Sequence, residues 1–377
     1  MHNRIKDHIE AIHIDDVKLV LAVSGSGTKA LSWILEIPGA SNTLLEAVVP
    51  YSVSAMSNLI GKIPQQSVSE ETAIDMARAA YFRAVRQRSA TQKTVGVSCT
   101  AALTTNRARR GQNQAYIGFY GADFLKVYRL EITKGKFNRT QEEIIISEFL
   151  VDKIALELLA THESKKLPSF VSASEITSLK YASHEEALLA THIKSIQMDV
   201  EGIKVADQKF AGGILSGSFN PVHVGHMELA SAAKRILKRG IAFEISVANV
   251  DKPNLTENVI EARASQFIGK SKLLFTLAPL FSEKAVLYPE STFVIGWDTA
   301  VRLVDQNYYG GSAQGMYKSL EQIERNRCGF LVAGRQSEGQ FMSLSDVRVP
   351  ERFQTLFTEI PESIFRMDIA STDIRTA

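Results

Sequence analysis

The 377-residue sequence predicts an α/β fold in two domains. Three observations carry this expectation. Short apolar runs that read as strands alternate with longer amphipathic stretches that read as helices. The alternation breaks in residues 163–210, where Lys, Ser and Pro interrupt it, and restarts at Ala211. The composition, 45% hydrophobic and 22% charged, suffices for an ordinary core in each half. The expected domains are therefore 1–162 and 211–377, joined by a connector over 163–210 with some structure of its own.

In the first half, Lys18 to Val23 reads as a strand and Thr28 to Glu36 as a helix ended by Pro38-Gly39. Leu44 to Tyr51 is a second strand. Ser67 to Arg88 is a helix whose apolar face includes Ala73, Met76, Ala77, Ala80 and Val85, with Ser67 and Glu70 as its capping box. Thr94 to Cys99, Ala115 to Tyr120 and Phe124 to Thr133 are strands, the last two joined by a hairpin at Gly121-Ala122-Asp123. Thr140 to His162 is a long helix with Thr140 and Glu143 as a capping box. Within the connector, 184–196 carries a weak helical pattern.

The second half opens with a strand over Ala211 to Ser216, a loop, and a helix from His226 to Arg239. Ile241 to Val250 is a strand and Val259 to Phe275 a helix. Thr292 to Ile295, Gly329 to Ala333 and Ile364 to Ile369 are further strands. Parallel strands joined by helices bind ligands at their carboxyl ends.

Composition narrows the function. A net charge of +2 gives no field that recruits nucleic acid or an acidic membrane. There is no apolar run of about 20 residues to span a bilayer. Residues 1–16 lack the apolar stretch of a secretory signal. Cys99 and Cys328 cannot form a disulfide framework, so a reducing, cytoplasmic setting is expected.

The segment Gly217-Ser218-Phe219-Asn220-Pro221-Val222-His223-Val224-Gly225-His226 follows a strand and opens a helix. Small residues at 217 and 218 allow close backbone approach to a phosphate. The helix start offers unpaired N–H groups and partial positive charge. His223 and His226, three apart, can face one side and donate to phosphate oxygens. No further clustered ligands accompany them, so no metal site is expected.

This stretch resembles the nucleotidyltransferases of the His-x-Gly-His superfamily. Those proteins also carry a Ser/Thr-x-x-Arg element near the C-terminus, matched here by Ser371-Thr372-Asp373-Ile374-Arg375. Phe293-Val294-Ile295-Gly296-Trp297-Asp298 resembles an element of nicotinamide and nicotinate mononucleotide adenylyltransferases that lies beside the bound nucleotides. The resemblance implies a Rossmann-like parallel-sheet domain. It also implies ATP and a mononucleotide-like acceptor as substrates, with Mg²⁺ arriving with ATP. His223, His226 and Arg375 are the implied catalytic residues. Gly217, Ser218, Phe219, Asn220, Lys252, Gly296, Trp297, Asp298, Ser371 and Thr372 are the implied binding residues. Trp297, where the family has a small residue, reads equally as a ring-stacking or a core aromatic.

Residues 3–160 resemble the C-terminal domain of CinA, a family that includes nicotinamide mononucleotide deamidases. The carriers are Leu21-Ala22-Val23-Ser24-Gly25-Ser26-Gly27, Ile37-Pro38-Gly39-Ala40-Ser41 and Val49-Pro50-Tyr51-Ser52. Ser24 matches a serine of active relatives. Their nearby lysine and glutamate are replaced by Met56 and Val23. A serine without a base is a weak nucleophile, so loss of deamidase activity is expected. Two alternatives remain: transfer to another phosphorylated acceptor, including with CTP, or nucleotide sensing without turnover. A homo-oligomer also stays open.

Overall fold

The structure, a computed structural model, describes residues 2–87, 92–106, 111–159, 166–248, 253–337 and 340–366. It divides into two compact units, Met1–Ala182 and Ser183–Ala377.

The first unit runs α1 (Asn3–Ile14), β1 (Lys18–Ser24), α2 (Thr28–Glu36), β2 (Leu44–Val48), α3 (Val53–Ile60), α4 (Glu70–Val85), β3 (Thr94–Ala102), β4 (Asn113–Tyr120), β5 (Phe124–Ile132), α5 (Arg139–Leu159) and β6 (Val171–Lys180). Among the described residues its sheet has the order β2-β1-β3-β4-β5-β6. β1 is parallel to β2 and β3, and the rest of the sheet is antiparallel. The unbroken apolar run of β1 has a physical cause, because both faces are covered. Leu19, Leu21 and Val23 pack with residues of α1, α2 and α5, whereas Val20 and Ala22 pack with Met56, Met76 and Ala80. The expected hairpin closes through the Gly121 N–H, which donates to the Phe124 carbonyl at 2.9 Å.

Two helix starts differ from expectation. Ser69, not Ser67, caps α4 by accepting the Thr72 N–H at 3.2 Å. At α5, Asn138 and Gln141 exchange reciprocal side-chain-to-backbone bonds of 2.9 Å, so Thr140 and Glu143 are not its capping box. The segment 163–210 supplies β6 to this sheet and further elements to the second unit. Its strand was hidden because an edge strand is held by backbone pairing, here to β5, without an apolar period.

The second unit runs α6 (His184–Leu189), β7 (Ser195–Met198), β8 (Lys204–Ala206), β9 (Gly213–Ser216), α7 (Val224–Leu237), β10 (Ile241–Ser246), α8 (Glu257–Ser265), β11 (Lys272–Thr276), α9 (Phe281–Leu287), β12 (Thr292–Gly296), α10 (Trp297–Leu303), α11 (Ala313–Arg325), β13 (Gly329–Ala333), β14 (Arg335–Ser337), β15 (Gln340–Met342) and β16 (Phe357–Ile360). Among the described residues the main sheet has the order β16-β13-β12-β9-β10-β11-β7-β8. Strands β16 to β11 along this order are parallel, and β7 and β8 add an antiparallel edge.

The helix expected over 259–275 is instead α8 followed by β11. Gly269, at φ +75°, lies in the turn between them, and Leu273, Leu274 and Phe275 are fully buried in a strand between β10 and β7. A continuous apolar run carries no period to separate strand from helix. The strand expected at 364–369 is also displaced. Ile364 lies in a turn, the strand that pairs with β13 is β16, and residues 367–369 lie outside the described residues.

Candidate functional site

Strands β9 and β12 lie side by side, with Phe293 opposite Ile214, although β10 follows β9 in the chain and packs on its other side. The strand order reverses there, and in such sheets a ligand crevice forms beyond the carboxyl ends. Among the segments that leave the sheet at that end are 217–226 after β9, 296–298 after β12, and 334–335 after β13, where Ala333 stands opposite Gly296.

The first loop is built on Phe219. Its ring is 2% exposed and meets His226 edge-on at 4.9 Å, Phe243 at 5.1 Å and Phe267 at 5.7 Å. The side chain expected to touch substrate is therefore a core anchor. A Cβ on Gly217 would stand 2.8 Å from that ring, which explains the glycine without a ligand. Ser218 and Asn220 are exposed. Arg263 of α8 and Gln266 just after it brace the loop: Arg263 donates to the Ser218 carbonyl at 2.8 Å, and Gln266 accepts the Val222 N–H at 3.0 Å. Behind it, the Gly217 N–H donates to the Glu244 carbonyl at 3.0 Å. The Glu244 carboxylate takes Lys284 Nζ at 2.6 Å and the Thr276 hydroxyl at 2.7 Å, which offsets the desolvation of a buried ion pair.

The two histidines are brought together. Their rings stack at 3.6 Å, inclined by 27°, at the start of α7. His226 Nδ1 accepts the backbone N–H of His223 at 3.2 Å. A nitrogen that accepts carries no proton, so the neutral ring holds its proton on Nε2. Burial, and then the neighbouring His223, lowers the His226 pKa to about 4. Burial also lowers that of His223. At neutral pH His226 is thus an uncharged imidazole with Nε2–H as its donor, at a helix N-terminus.

Arg263 was not legible in the sequence. Among the described residues no carboxylate pairs with it, and burial lowers its pKa. A partly buried cation without a counter-ion, touching the phosphate-type loop, is a ready partner for an anion. Arg335 was also missed, although it follows the strand end Val332-Ala333-Gly334 much as the other motifs follow theirs. It forms an ion pair with Asp298. Gly296 faces open space, since a Cβ there would meet nothing within 4 Å. Trp297 packs against the core, which favours the core-aromatic reading, although its buried Nε1–H has no partner among the described residues. Lys252, Ser371, Thr372 and Arg375 lie outside the described residues.

In the first unit the Ser24 hydroxyl donates to the Pro50 carbonyl at 3.1 Å. Met56 and Val23 are buried in apolar clusters. Glu143 reaches the start of α2, where its carboxylate accepts from Ser26 Oγ at 2.5 Å, the Gly27 N–H at 3.3 Å, Thr28 Oγ1 at 2.9 Å and the Lys29 N–H at 3.1 Å. Burial alone would raise its pKa, but these donors hold it below the usual value. The anion position of this glycine-rich turn is thus filled by the chain's own carboxylate. Beside it lies a cleft of about 390 Å³ lined by Gly25, Lys29, Tyr51, Arg139 and Glu143, among others. Cys99 is fully buried and its thiol pKa is pushed up, so it is no nucleophile.

Residues 3–155 match the CinA C-terminal domain family, and residues 214–377 match the cytidylyltransferase-like family. The chain joins a CinA-type domain to a cytidylyltransferase-like domain. The second of these is a nucleotidyltransferase-type domain. A search of curated proteins finds no match. Similar solved structures include the competence/damage inducible protein CihA from Agrobacterium tumefaciens, at 20% identity over 41% of this chain and 95% of that one, TM-score 0.34. A CinA superfamily protein from Enterobacter cloacae is 14% identical over 41% of this chain and 90% of its own, TM-score 0.35. A competence or damage-inducible protein from Enterobacter asburiae is 13% identical over 41% and 96%, TM-score 0.35. In the CinA-type and cytidylyltransferase-like domains, no group of three or more His, Cys, Asp or Glu among the described residues could hold a metal ion. No helix among them is long and apolar enough to cross a membrane.

Proposed function

We propose that the cytidylyltransferase-like domain transfers an adenylyl group from ATP to nicotinamide or nicotinate mononucleotide. The observation that carries this reading is His226: a neutral, tautomer-locked imidazole at the N-terminus of α7, on a loop whose Ser218 carbonyl takes Arg263, a cation with no carboxylate partner among the described residues. A phosphate oxygen of the acceptor attacks the α-phosphorus of ATP. The bond to the bridging oxygen of the β-phosphate breaks, and pyrophosphate leaves. His226 Nε2–H and the α7 N–H groups stabilise charge on the α-phosphate, and Arg263 holds a neighbouring phosphate. The pyridine-nucleotide acceptor rests on the Gly296-Trp297-Asp298 element and on the CinA-type partner domain. Lys252, Ser371, Thr372 and Arg375 complete the phosphate grip by resemblance. Mg²⁺ would enter bound to ATP and neutralise its phosphates, since no group of three or more metal-ligating side chains is found among the described residues.

Pyrophosphate release from ATP and from CTP, across pyridine mononucleotides, pantetheine phosphate and a phosphoalcohol, tests this. Release is expected with ATP and a pyridine mononucleotide. Release only with CTP and the phosphoalcohol would replace the adenylyl reading, and none with any pair would leave a nucleotide sensor.

The CinA-type domain has lost deamidase activity in this reading. Ser24 donates to a backbone carbonyl, the position of the family's lysine is a core methionine, and Glu143 occupies the turn where an anion would bind. The full-length chain is expected to release no ammonia from nicotinamide mononucleotide above a no-enzyme control. Ammonia release abolished by Ser24→Ala would show that the site is active.

A further inference from the structure

We propose that Arg335 recognises a carboxylate on the acceptor's ring, and that its ion pair with Asp298 opens to let the acceptor in. This rests on the pyridine-mononucleotide reading above and names which member of the class the site takes.

Arg335 emerges two residues beyond Ala333, which stands opposite Gly296 in the parallel β12–β13 pair. It therefore leaves the same end of the sheet as Trp297 and Asp298. Its Nη1 pairs with Asp298, and the two side chains are 45% and 44% exposed. An ion pair so open to water contributes about 0–1 kcal/mol, so opening it costs little. Arg335 Nε donates to the Gln336 carbonyl at 3.3 Å, within its own short hairpin. Neither charge is locked into the core. The open space beside Gly296 leaves room for a ligand at this point.

A ligand that takes one member of the pair must satisfy the other. Asp298 can take a ribose diol in place of the guanidinium, because a carboxylate offers two acceptor oxygens. Arg335 then loses its anion. A ring carboxylate restores it through a forked pair of hydrogen bonds, whereas a ring amide presents one neutral acceptor and leaves the guanidinium charge without a partner. The exchange is balanced for nicotinate mononucleotide and unbalanced for nicotinamide mononucleotide. Discrimination of this kind comes from the group left unpaired with the wrong ligand.

The test is kcat/KM for both mononucleotides at saturating ATP, on the full-length chain and on its Arg335→Gln and Arg335→Lys variants. The wild type is expected to favour the acid by about 10–100-fold, the range of a charge-assisted hydrogen bond. Arg335→Gln should bring the acid-to-amide ratio close to one, and Arg335→Lys should keep an intermediate ratio. A wild-type preference for the amide, or an unchanged ratio in Arg335→Gln, overturns the assignment while the adenylyltransferase reading stands. Turnover of neither mononucleotide by the wild type overturns both.

Discussion

Replacing His226 by alanine is expected to lower pyrophosphate release by about 10²–10³-fold, the usual effect of losing one donor aimed at developing charge. The structure gives the reason for so large an effect from one neutral side chain. His226 Nδ1 is engaged by the His223 backbone N–H at 3.2 Å, so the ring cannot rotate freely and its Nε2–H keeps one direction. A preorganised donor needs no rearrangement as charge builds on the α-phosphate. With a pKa near 4, the ring keeps this form at neutral pH. Imidazole NMR of the wild type should therefore show a His226 midpoint near 4 rather than near 6.5. The linkage has a definite sign. The unfolded chain binds a proton here below about pH 6.5, and the folded chain does not until about pH 4. This contribution to stability is full above pH 6.5 and is lost as pH falls toward 4. A His226→Ala enzyme with near wild-type turnover and normal unfolding would end the role assigned to this ring.

Replacing Phe219 by alanine is expected to cost the second unit about 3–5 kcal/mol of stability, the usual range for a buried phenylalanine. The ring is 2% exposed and holds edge contacts with His226, Phe243 and Phe267, at centroid separations of 4.9, 5.1 and 5.7 Å. Its removal leaves a cavity under the loop and takes away one wall of the His226 site. Backbone strain is not the cause, since φ at 219 is +42° and alanine meets the same constraint. Denaturant unfolding of the full-length chain, followed by a probe of the second unit, reads the loss directly. Phe219→Leu should recover part of it, because much of the apolar volume is kept. A loss below about 1 kcal/mol in Phe219→Ala would mean that the loop is held by Arg263 and Gln266 rather than by its own aromatic anchor.

The difference between Phe219 as a binding residue and Phe219 as an anchor shows where the sequence stops being sufficient. The spacing of His223 and His226 after a glycine-led loop is a local pattern, and it placed a strand-to-helix turn between β9 and α7 because backbone geometry at such a turn is set by neighbours in the chain. The same holds for α2, whose end at Glu36 was legible from Pro38-Gly39, and for the Gly121-Ala122-Asp123 hairpin. Glu143 failed the same test. A capping box was the local reading, yet its carboxylate crosses to the start of α2, more than 110 residues earlier in the chain.

What the sequence by itself determined was the α/β class, the presence of two units and the strand-to-helix turn that carries the two histidines. Each depends on periodicity or on residues close in the chain. The boundary between the units falls at 182/183 rather than at 211, because β7 and β8 join the second sheet. The tertiary structure alone decided that Leu273, Leu274 and Phe275 form a strand, that Arg263 reaches the Ser218 carbonyl, and that Arg335 and Asp298 face one another. Strand pairing, the pairing of charges and the direction of a buried ring depend on which distant residue fills the adjacent space. That choice is made by packing the sheet, and no local run of residues encodes it.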